Sequence, residues 1–353
     1  MVNSTTKVVI LSTCLVAMLT AAYLHNAIKS RPQLVSAETI EEYVRWRATY
    51  KAGLTVTPEE GDYRLKMFVN SKAYVQRQNE IYDRRVIDED LPKPHGPMFE
   101  LNQFADLSDE EFSSQYLGGS MSNEEEEVSP LSELYEMIPA RNADSKPNLG
   151  ITHSYNVYNQ GGCGSCWAFA SANLAERKWF TSKGNKIEFS QQQLIDCDKS
   201  SNGCNGGFIS LGLTYINNNG VATASSYPYK GAVGWCLPYF KSLNLKGALN
   251  VKTFAFSLSG VASWIISNNY AGGRVYGRAI KFASSNDDIY SPSAIDCANR
   301  VNHAVVLIDA STSENYVTML NSWGSTWGFN GVKKIKPCSS DNYAGAGAQF
   351  YTY

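Results

Sequence analysis

Two cysteines, Cys163 and Cys166, lie three positions apart in the stretch NQGGCGSCWAF, after two glycines and before an apolar run. The glycines let the backbone turn tightly, and CWAFASANLAERKWF has helical periodicity, so Cys166 is predicted to begin a helix. Unpaired N–H groups at a helix N-terminus carry partial positive charge, which favours a thiolate over a thiol. The pattern therefore makes Cys166 a candidate nucleophile.

The same spacing also occurs in redox pairs and in half-sites for zinc. A zinc site needs a second pair at ligand spacing, and Cys197 and Cys204 are too far apart and have no histidine nearby. A thioredoxin-like pair follows a buried strand, whereas polar residues and glycines precede Cys163. Both alternatives are disfavoured.

The chain has eight cysteines, of which Cys14 lies in an N-terminal apolar stretch. Seven remain, and an odd number in an exported protein leaves one thiol free or paired with another chain. Three disulfides and one reactive thiol are the most economical interpretation.

A thiolate that attacks an acyl group needs a partner that stabilises it as an ion pair and then protonates the leaving amine. Histidine suits this role. Of the four histidines, His25 follows the N-terminal apolar stretch and His95 lies in a Pro-rich acidic segment. His153 lies in a polar loop and His303 begins the β-rich run HAVVLIDA. Taken alone, a structural or surface role is the default for either.

The N-terminus has the composition of an export signal. Lys7 precedes VVILSTCLVAMLTAA, which has the length of a signal-peptide apolar region and is short for a membrane span. Residues 1–29 are therefore predicted to be a signal peptide, with an uncleaved signal anchor as the alternative. Either would bring the rest of the chain into the oxidising secretory pathway.

Charge is distributed unevenly along the chain. Residues 30–138 contain 11 Lys and Arg against 22 Asp and Glu, whereas residues 139–353 contain 18 against 11. The two parts are expected to attract each other. The whole chain has a formal net charge of -2, which gives no electrostatic reason to expect a nucleic-acid partner.

The periodicity changes along the chain. Residues 39–80 are predicted to form two helices that share an apolar face, and the acidic run Glu124–Glu127 marks an exposed linker suited to cleavage. The run SQQQLIDC is predicted to be a short helix, and HAVVLIDA, NYVTMLNSW and GVKKIK are predicted strands. Helices first and strands later predict an α+β fold with two lobes and a cleft between them.

The motifs GGCGSCWAF, SQQQLIDC, GCNGG, NHAVVL and NSWGSTWGFNG, in this order, resemble the papain family of cysteine peptidases, including the cathepsin L-like enzymes. The resemblance covers almost the whole chain after the N-terminal signal. It implies a papain-like fold with a helical and a β-barrel-like lobe, preceded by a helical inhibitory propeptide. The implied division is 1–29 signal, 30–135 propeptide with acidic linker, and 136–353 peptidase domain.

The resemblance also implies the catalytic groups. Cys166 is the nucleophile, His303 its acid–base partner, and Asn321 the group that orients the imidazole. Gln160 is the side-chain donor of the oxyanion hole, with the backbone N–H of Cys166 as the second donor. Trp323 shields the bond between Asn321 and His303 from water.

In the family the first cysteine of the opening stretch is structural. The implied disulfides are Cys163–Cys204 and Cys197–Cys236, which leaves Cys297 and Cys338 as a third pair and Cys166 free. The family's last cysteine usually lies nearer the C-terminus, where this chain has AGAGAQF.

Substrate contacts are implied by the same resemblance. Gly206 and Gly207 match the segment whose backbone pairs with an extended peptide, as glycine allows close approach of another chain. Phe208, Ile209 and Ala304 are expected to line an apolar pocket for the substrate residue two before the scissile bond. Bulky apolar residues are expected to be preferred there over arginine.

The acidic segment resembles the family's inhibitory propeptide. Its interrupted helical signature and its second motif comprise Glu60, Arg64, Phe68, Val75, Asn79, Asn102, Phe104 and Asp106. Such a segment blocks the cleft, and protonation of its carboxylates is expected to weaken its hold on the basic enzyme.

Together these features predict a cysteine endopeptidase made as a zymogen and activated at acidic pH, with no metal or organic cofactor. Its expected partners are polypeptide substrates, its own propeptide and protein inhibitors of cystatin type, with the enzyme a monomer. Its expected location is a lysosome, food vacuole or similar acidic compartment, or outside the cell. A catalytically silent binding protein and an exopeptidase of the same family are the alternative functions.

Overall fold

A computed structural model describes residues 35–118, 129–137, 155–237, 245–268, 270–338 and 349–352 of the 353-residue chain. The predicted signal, the acidic run Glu124–Glu127 and His153 lie outside these ranges. The chain divides into two compact units, residues 1–73 and residues 74–353. No helix within the described ranges is long and apolar enough to cross a membrane.

The first unit is built on aromatic packing between two helices. Helix α1 spans Ala37–Tyr50 and begins at Ser36, whose hydroxyl accepts a hydrogen bond from the backbone N–H of Thr39. Helix α2 spans Pro58–Asp88 and starts with proline and two glutamates. Phe68 of α2 packs against Tyr43 and Trp46 of α1, with ring centroids 5.1 and 5.4 Å apart. The prediction of two helices over 39–80 is confirmed.

The second unit contains the remaining helices. The bounds are α3 Asp109–Tyr116, α4 Leu131–Met137, α5 Cys166–Lys183, α6 Gln191–Cys197, α7 Ile209–Asn219, α8 Leu258–Asn268 and α9 Ala294–Ala298. Helix α3 begins with a capping box between Ser108 and Glu111. Helix α6 lies within the run SQQQLIDC that was predicted to be helical, and the side chain of its N-cap residue Ser190 accepts from the N–H of Gln193.

A six-stranded sheet forms the other part of this unit. Its strands are β1 Lys252–Ala255, β2 Ala271–Val275, β3 His303–Ser311, β4 Tyr316–Leu320, β5 Val332–Ile335 and β6 Gln349–Thr352. The order in the sheet is β1-β6-β2-β3-β4-β5, and every neighbouring pair is antiparallel. The three predicted strand runs overlap β3, β4 and β5, so the α+β assignment is confirmed.

Helix α5 packs against β3 and α7. Small residues permit this close packing, because a side chain at Gly212 of α7 would collide with Ser171 of α5. On the sheet side, Leu174 of α5 lies against Gly272 of β2. The packing brings the first turn of α5, which holds Cys166, to the beginning of β3, which holds His303.

Three disulfides connect the second unit, and they are the pairs that the resemblance implies: Cys163–Cys204, Cys197–Cys236 and Cys297–Cys338. Cys166 is the free cysteine of the described ranges. The two neighbours in the opening stretch therefore have different roles, since Cys163 is structural and Cys166 keeps its thiol.

Candidate active site

Cys166 is the first residue of α5, as its position after the glycine-rich turn predicts. Gly161 has a φ of 56°, in the left-handed region that favours glycine. Gly164 is needed for close approach, since a Cβ there would lie 2.5 Å from the carbonyl oxygen of Cys204 and 2.7 Å from that of Leu117. The turn and the Cys163–Cys204 disulfide together fix the start of α5.

The thiol of Cys166 is enclosed by backbone from several elements. A Cβ placed on Gly118 would lie 3.5 Å from Sγ and 3.3 Å from the Cα of Gly206. Burial raises the pKa of Cys166, although N–H groups of Ala304, Trp167 and Gly118 and the charge of Arg274 act in the opposite direction. The helix N-terminus alone led us to expect a thiolate, whereas in this enclosed state loss of water outweighs it and the neutral thiol is favoured.

His303 is oriented by Asn321. Its Nε2 lies 2.7 Å from the Oδ1 of Asn321, and this oxygen also accepts from the backbone N–H of Ser322 at 2.8 Å. Because Oδ1 is an acceptor, Nε2 must donate, which leaves Nδ1 as the basic nitrogen of the neutral ring. Nδ1 is buried and has no hydrogen-bond partner within the described ranges. Burial lowers the pKa of His303 to about 4, against the opposing effect of the hydrogen bond to Asn321.

Trp323 covers the imidazole. The centroids of the His303 and Trp323 rings are 4.4 Å apart and the planes are inclined by 31°. Trp327 meets Trp323 edge to face at 5.4 Å. Trp323 is 1% exposed and Asn321 is 2% exposed. The indole therefore lies where it excludes water from the bond between Asn321 and His303.

Ser322 fixes the orientation of the Gln160 side chain. The hydroxyl of Ser322 donates to Oε1 of Gln160 at 2.7 Å, so the amide nitrogen points the other way. Nε2 donates to the carbonyl oxygens of Cys163 at 2.8 Å and Tyr116 at 3.0 Å. The backbone N–H of Gln160 donates to the carbonyl of Ser322 at 2.8 Å. Ser322 is not among the residues predicted from the sequence, although it stands directly after Asn321.

A stretch of residues 98–118, which we call the covering segment, crosses this site. It begins with an antiparallel bridge between Phe99 and Ala283. Phe104 and Phe112 then place their rings 5.3 Å from Trp323. The side chain of Gln103 donates to the carbonyl of Trp323 at 2.8 Å.

The end of the covering segment lies on the reactive groups. Gly118 donates its N–H to the carbonyl of Asn302 at 3.2 Å. Its carbonyl oxygen is 2.5 Å from the place where a Cβ of Gly206 would stand, so Gly206 cannot be replaced without displacement. Leu117 is 2% exposed, and a Cβ placed on Gly277 would lie 2.2 Å from the Leu117 side chain and 3.1 Å from the Cβ of His303. Residues 116–118 thus lie against Gln160 and Cys166, with the Leu117 side chain on the His303 side.

The expected substrate-binding residues include two glycines, Gly206 and Gly207, at close approaches to other parts of the chain. Gly206 has a φ of 113°, and a Cβ at Gly207 would lie 2.7 Å from Trp167. Phe208 is 9% exposed and Ala304, on β3, is 7% exposed. Ile209 is the first residue of α7 and is buried in the hydrophobic core at 1% exposure.

Residues of the propeptide-like motifs make specific contacts. Asn79 exchanges two hydrogen bonds of 2.9 Å with the backbone of Phe99. Asn102 donates from its side chain to the carbonyl of Lys281 at 2.8 Å, and Asp106 is buried. These contacts explain why asparagine occurs at both positions, since each bond needs an amide at that point.

Comparison with known proteins gives two matches along the chain. The family described as papain family cysteine protease matches residues 142–351, and the cathepsin propeptide inhibitor domain (I29) matches residues 43–112. The chain belongs to the papain family of cysteine proteases. It is a cysteine peptidase with a propeptide, which makes this form a zymogen, and the covering segment overlaps the propeptide match.

Individual relatives agree with this assignment. Chymopapain from Carica papaya is 29% identical over 375 residues, covering 99% of this chain and 97% of its own. Papain from the same plant is 30% identical over 297 residues, covering 82% and 79%. The proform of the ragweed pollen cysteine protease Amb a 11 has a TM-score of 0.70 at 24% identity, covering 90% of this chain and 93% of its own. The stem bromelain precursor has a TM-score of 0.68 at 24% identity, covering 89% and 98%.

The donor set of the site is a thiol, an imidazole and two amides, which suits covalent acyl transfer. Within the described ranges, no group of three or more His, Cys, Asp or Glu side chains is arranged to hold a metal ion.

Proposed function

We propose that this zymogen gives rise to an endopeptidase in which Cys166 and His303 form the reactive pair. The observation that carries the proposal is the position of the covering segment. Its residue Gly118 lies beside the thiol of Cys166, and the carbonyl oxygen of its residue Tyr116 accepts a hydrogen bond from the side-chain amide of Gln160. A peptide backbone held at these two groups is where a substrate's scissile bond must bind. In this proposal residues 30–135 are the propeptide and residues 136–353 the peptidase domain.

The proposed reaction has two halves, formation of a thioester on Cys166 and its hydrolysis, and His303 acts as base and then as acid. Nδ1 of His303 takes the proton of Cys166, and the thiolate attacks the carbonyl carbon of the scissile bond. The oxyanion is stabilised by Nε2 of Gln160 and the backbone N–H of Cys166. The imidazolium then protonates the leaving amine, which departs and leaves a thioester. Water attacks the thioester with His303 as base, and the acid product and free thiol are regenerated.

The zymogen is latent for two reasons. The covering segment excludes substrate, and it also keeps water away from both reactive groups. Burial raises the pKa of Cys166 and lowers that of His303, so both shifts favour the neutral pair over the ion pair. Removal of residues 116–118 would return water to the site and relieve both shifts.

Acid release is supported by a carboxylate of the covering segment. Asp109 forms ion pairs with Arg278 and with Lys281, the latter at 3.3 Å. Burial alone would raise the pKa of Asp109, but the charges of Lys281 and Arg278 outweigh it and the pKa is lowered. Because the pKa of Asp109 is lowered, its ion pairs hold the covering segment in place at pH values above the ordinary aspartate pKa, near 4. This stabilisation is lost as the pH falls through the lowered pKa.

A second pair acts in the opposite direction. His95 lies 2.7 Å from Asp288, and this hydrogen bond raises the pKa of His95. A raised histidine pKa means that the pair is fully formed in mild acid and is lost as the pH rises through that pKa. Mild acidification therefore strengthens this contact, and release requires the lower pH at which Asp109 and Asp288 take up protons.

Substrate binding is proposed to use the backbone of Gly206 and Gly207 and an apolar pocket beside Phe208, Ile209 and Ala304. We place the enzyme in the secretory pathway, in an acidic compartment or outside the cell, as a monomer open to cystatin-type inhibitors. The three disulfides are compatible with an oxidising route.

The test is to process the full-length zymogen in acid, confirm loss of the propeptide, and sequence the N-termini of fragments from an unfolded protein substrate. Internal cuts that Cys166→Ala abolishes are expected. Trimming from chain ends alone would instead support an exopeptidase. No cleavage by fully processed protein would support a silent binding protein and contradict the proposal.

A further inference from the structure

Lys333 is a buried charged residue that neither the family resemblance nor the proposed mechanism uses. It lies on β5 and is 1% exposed. A buried ammonium is costly unless polar atoms replace the water that it loses. Four oxygen atoms of the described part of the chain do so, and all four belong to Ser284 and Asn286.

The ammonium of Lys333 reaches the main chain and the side chain of both residues. Its Nζ donates to the carbonyl oxygen of Ser284 at 3.4 Å and to the Ser284 hydroxyl at 3.2 Å. It also donates to the carbonyl oxygen of Asn286 at 2.9 Å and to Oδ1 of Asn286 at 2.6 Å. An ammonium has three N–H groups, so the four acceptors share them. Lys333 thus fixes Ser284 and Asn286 relative to β5.

The same part of the chain, residues 282–288, binds the propeptide through its backbone, and we call it the docking loop. The N–H of Ser284 donates to the carbonyl of Met98 at 3.1 Å. The N–H of Glu100 donates to the carbonyl of Phe282 at 2.9 Å. These bonds flank the antiparallel bridge with which the covering segment begins. The docking loop therefore receives an extended chain as a sheet edge does.

Side chains of the docking loop add to this recognition. Nδ2 of Asn286 donates to the carbonyl of Pro97 at 2.9 Å. The backbone N–H and the hydroxyl of Ser285 donate to one carboxylate oxygen of Glu100, at 3.1 and 2.9 Å. The surface thus fits an extended chain that presents two successive carbonyl oxygens and, shortly after them, a carboxylate.

Ser284 and Asn286 join the buried ammonium to the docked chain. Because Oδ1 of Asn286 accepts from Lys333, the amide is oriented and its Nδ2 is the end that serves Pro97. Ser284 accepts from Lys333 with its carbonyl and hydroxyl oxygens and donates its own N–H to Met98. Without the ammonium, these buried acceptors would lose their donor and the loop would have to turn them towards water.

The charge of Lys333 is present under the conditions in which the zymogen is latent. Burial lowers the pKa of Lys333 to about 8, against the opposing effect of the carboxylates of Asp288, Glu100 and Asp287, while Lys334 acts in the same direction as burial. From there to the ordinary lysine pKa of about 10.4, the unfolded chain keeps a proton that the folded chain has lost, so stability rises with pH. The charge therefore costs folding free energy below that range, and what it provides is a fixed loop.

We propose that Lys333 is a positioning residue for latency, an internal cation that shapes the docking loop so that residues 95–100 bind to it. The inference rests on the proposed function, in which residues 95–100 belong to the propeptide, and deepens it by naming a residue that regulates access to the site. Loss of the ammonium weakens docking and leaves the reactive pair in place, because its hydrogen bonds go to the docking loop whereas the pair lies on α5 and β3.

The experiment measures backbone hydrogen exchange in the full-length zymogen, with Cys166→Ala in every chain to prevent self-cleavage. The test variant is Lys333→Met, which keeps the length of the side chain and removes its charge. The matched control is Lys334→Met. Lys334 is the next residue of β5 and pairs with Asp287 of the docking loop at 2.7 Å, so the control also removes one lysine charge and one contact with this loop.

Exchange is followed by mass spectrometry in peptides that cover residues 95–102 and the docking loop. The reference is strand β2, which does not pair with β5. Relative to β2, Lys333→Met is expected to raise the exchange rate of residues 95–102 about tenfold to hundredfold, since hydrogen bonds to a buried charge are lost. Lys334→Met is expected to raise it at most about fivefold, because partly exposed ion pairs are weak.

Activity gives a second readout in chains that keep Cys166. Zymogen with Lys333→Met is expected to mature at higher pH than the wild type, because its docking is weaker. After processing, its kcat/KM for a short peptide is expected to remain within about twofold of the wild type. Lys334→Met is expected to resemble the wild type in both measurements.

Titration of the native lysine tests the inference if Lys333→Met does not fold. The exposed His95 pairs with Asp288 of the docking loop and also titrates, so this series uses His95→Ala together with Cys166→Ala. The exchange of residues 95–102 relative to β2 is expected to increase as the pH rises through about 8, where Lys333 loses its proton. A constant ratio across that range would overturn the inference.

The same result is overturning if Lys333→Met leaves exchange unchanged, if β2 accelerates equally, or if Lys334→Met has an equal effect. Equal acceleration of β2 would mean general destabilisation, and an equal control effect would mean that any lysine beside the loop suffices. The exchange experiment needs no activity. Failure of the fully processed wild type to cleave peptides would therefore contradict the proposed function and leave the exchange result to decide the role of Lys333.

Discussion

Cys166 and His303 illustrate how one physical cause acts oppositely on two groups. Burial disfavours the charged form of each, so it raises the pKa of the thiol and lowers the pKa of the imidazole. An active thiolate–imidazolium pair needs both groups charged. In the proposed mechanism the covering segment therefore inhibits by keeping water from both groups as well as by steric exclusion, and the two effects end together when the segment is removed.

The first prediction concerns the titration of Cys166. Iodoacetamide is expected to alkylate Cys166 slowly in the zymogen, with a rate that rises only in alkali, because burial raises the pKa of the thiol. In the processed enzyme the rate profile is expected to shift to lower pH. Peptide mass spectrometry of Cys166 across a pH series measures both profiles, and coincident profiles would contradict the account of latency.

The second prediction concerns Ser322, whose hydroxyl fixes the orientation of the Gln160 amide. In Ser322→Ala the amide loses this bond, and kcat is expected to fall about tenfold with little change in KM. Direct removal of an oxyanion donor by Gln160→Ala is expected to cost about 100- to 1000-fold. Ser313→Ala, on an exposed turn, is the matched control. An unchanged kcat in Ser322→Ala would show that Gln160 is positioned without the hydroxyl.

At the scale of elements, ion pairs at the start of helix α3 fasten the covering segment to the part of the chain around residues 278–281. Asp109 is its first residue and pairs with Arg278 and Lys281. Lys281 is 4% exposed, and burial lowers its pKa against the opposing effect of Asp109. Loss of the aspartate charge would therefore leave a buried ammonium without that carboxylate, which adds to the cost of keeping the segment in place.

The third prediction is that Asp109→Asn matures at higher pH than the wild type. The substitution removes the charge that acid must otherwise neutralise, so the midpoint of processing is expected to rise by several tenths of a pH unit, since partly exposed pairs are modest in strength. Glu110→Gln, at the next position on the same helix, is the control. Gel densitometry of zymogen incubated across a pH series measures the midpoint. If Asp109→Asn and the wild type are half-processed at the same pH, Asp109 does not take part in the acid release of the covering segment.

At the scale of the whole molecule, disulfides fasten the loops of the peptidase part. The Cys297–Cys338 bond closes a separation of 41 residues and connects helix α9 to the chain after β5. Closing a loop of this size in the unfolded state stabilises the folded state by about 2–4 kcal/mol. The bond therefore acts on global stability at a distance from the reactive groups.

The fourth prediction is that replacing both cysteines, as Cys297→Ser with Cys338→Ser, lowers Tm by about 5–15 °C. The double change avoids a new free thiol. Activity towards a short peptide at 25 °C is expected to remain, because neither residue contacts the reactive groups. Calorimetry of processed enzyme measures Tm, and an unchanged Tm would show that this bond contributes nothing to stability.

Local patterns predicted much of the fold. The glycine-rich turn predicted that α5 begins at Cys166, and the runs SQQQLIDC, HAVVLIDA and GVKKIK predicted α6, β3 and β5. These features depend on neighbours in sequence, such as caps, glycines and the period of apolar residues. The family resemblance supplied the proposed catalytic residues, which lie far apart in the chain.

Features that depend on distant contacts could not be predicted. The helix N-terminus indicated a thiolate, but the covering segment buries Cys166 and reverses the direction of its pKa shift. The position of Arg274 opposite Ala304 follows from the pairing of β2 with β3. Ser322 had no separate signal, because its role is a hydrogen bond to a residue 162 positions earlier.

The central claim is that Cys166 becomes a reactive thiolate with His303 once the propeptide is removed. The most direct measurement is labelling with an epoxide that alkylates the reactive thiol of this family, followed by peptide mapping, on the zymogen and on protein processed in trans. We expect label on Cys166 after processing, no label in the zymogen, and none in processed Cys166→Ala or His303→Ala. Absence of label on Cys166 after confirmed removal of the propeptide, or full labelling of a folded His303→Ala variant, would contradict it.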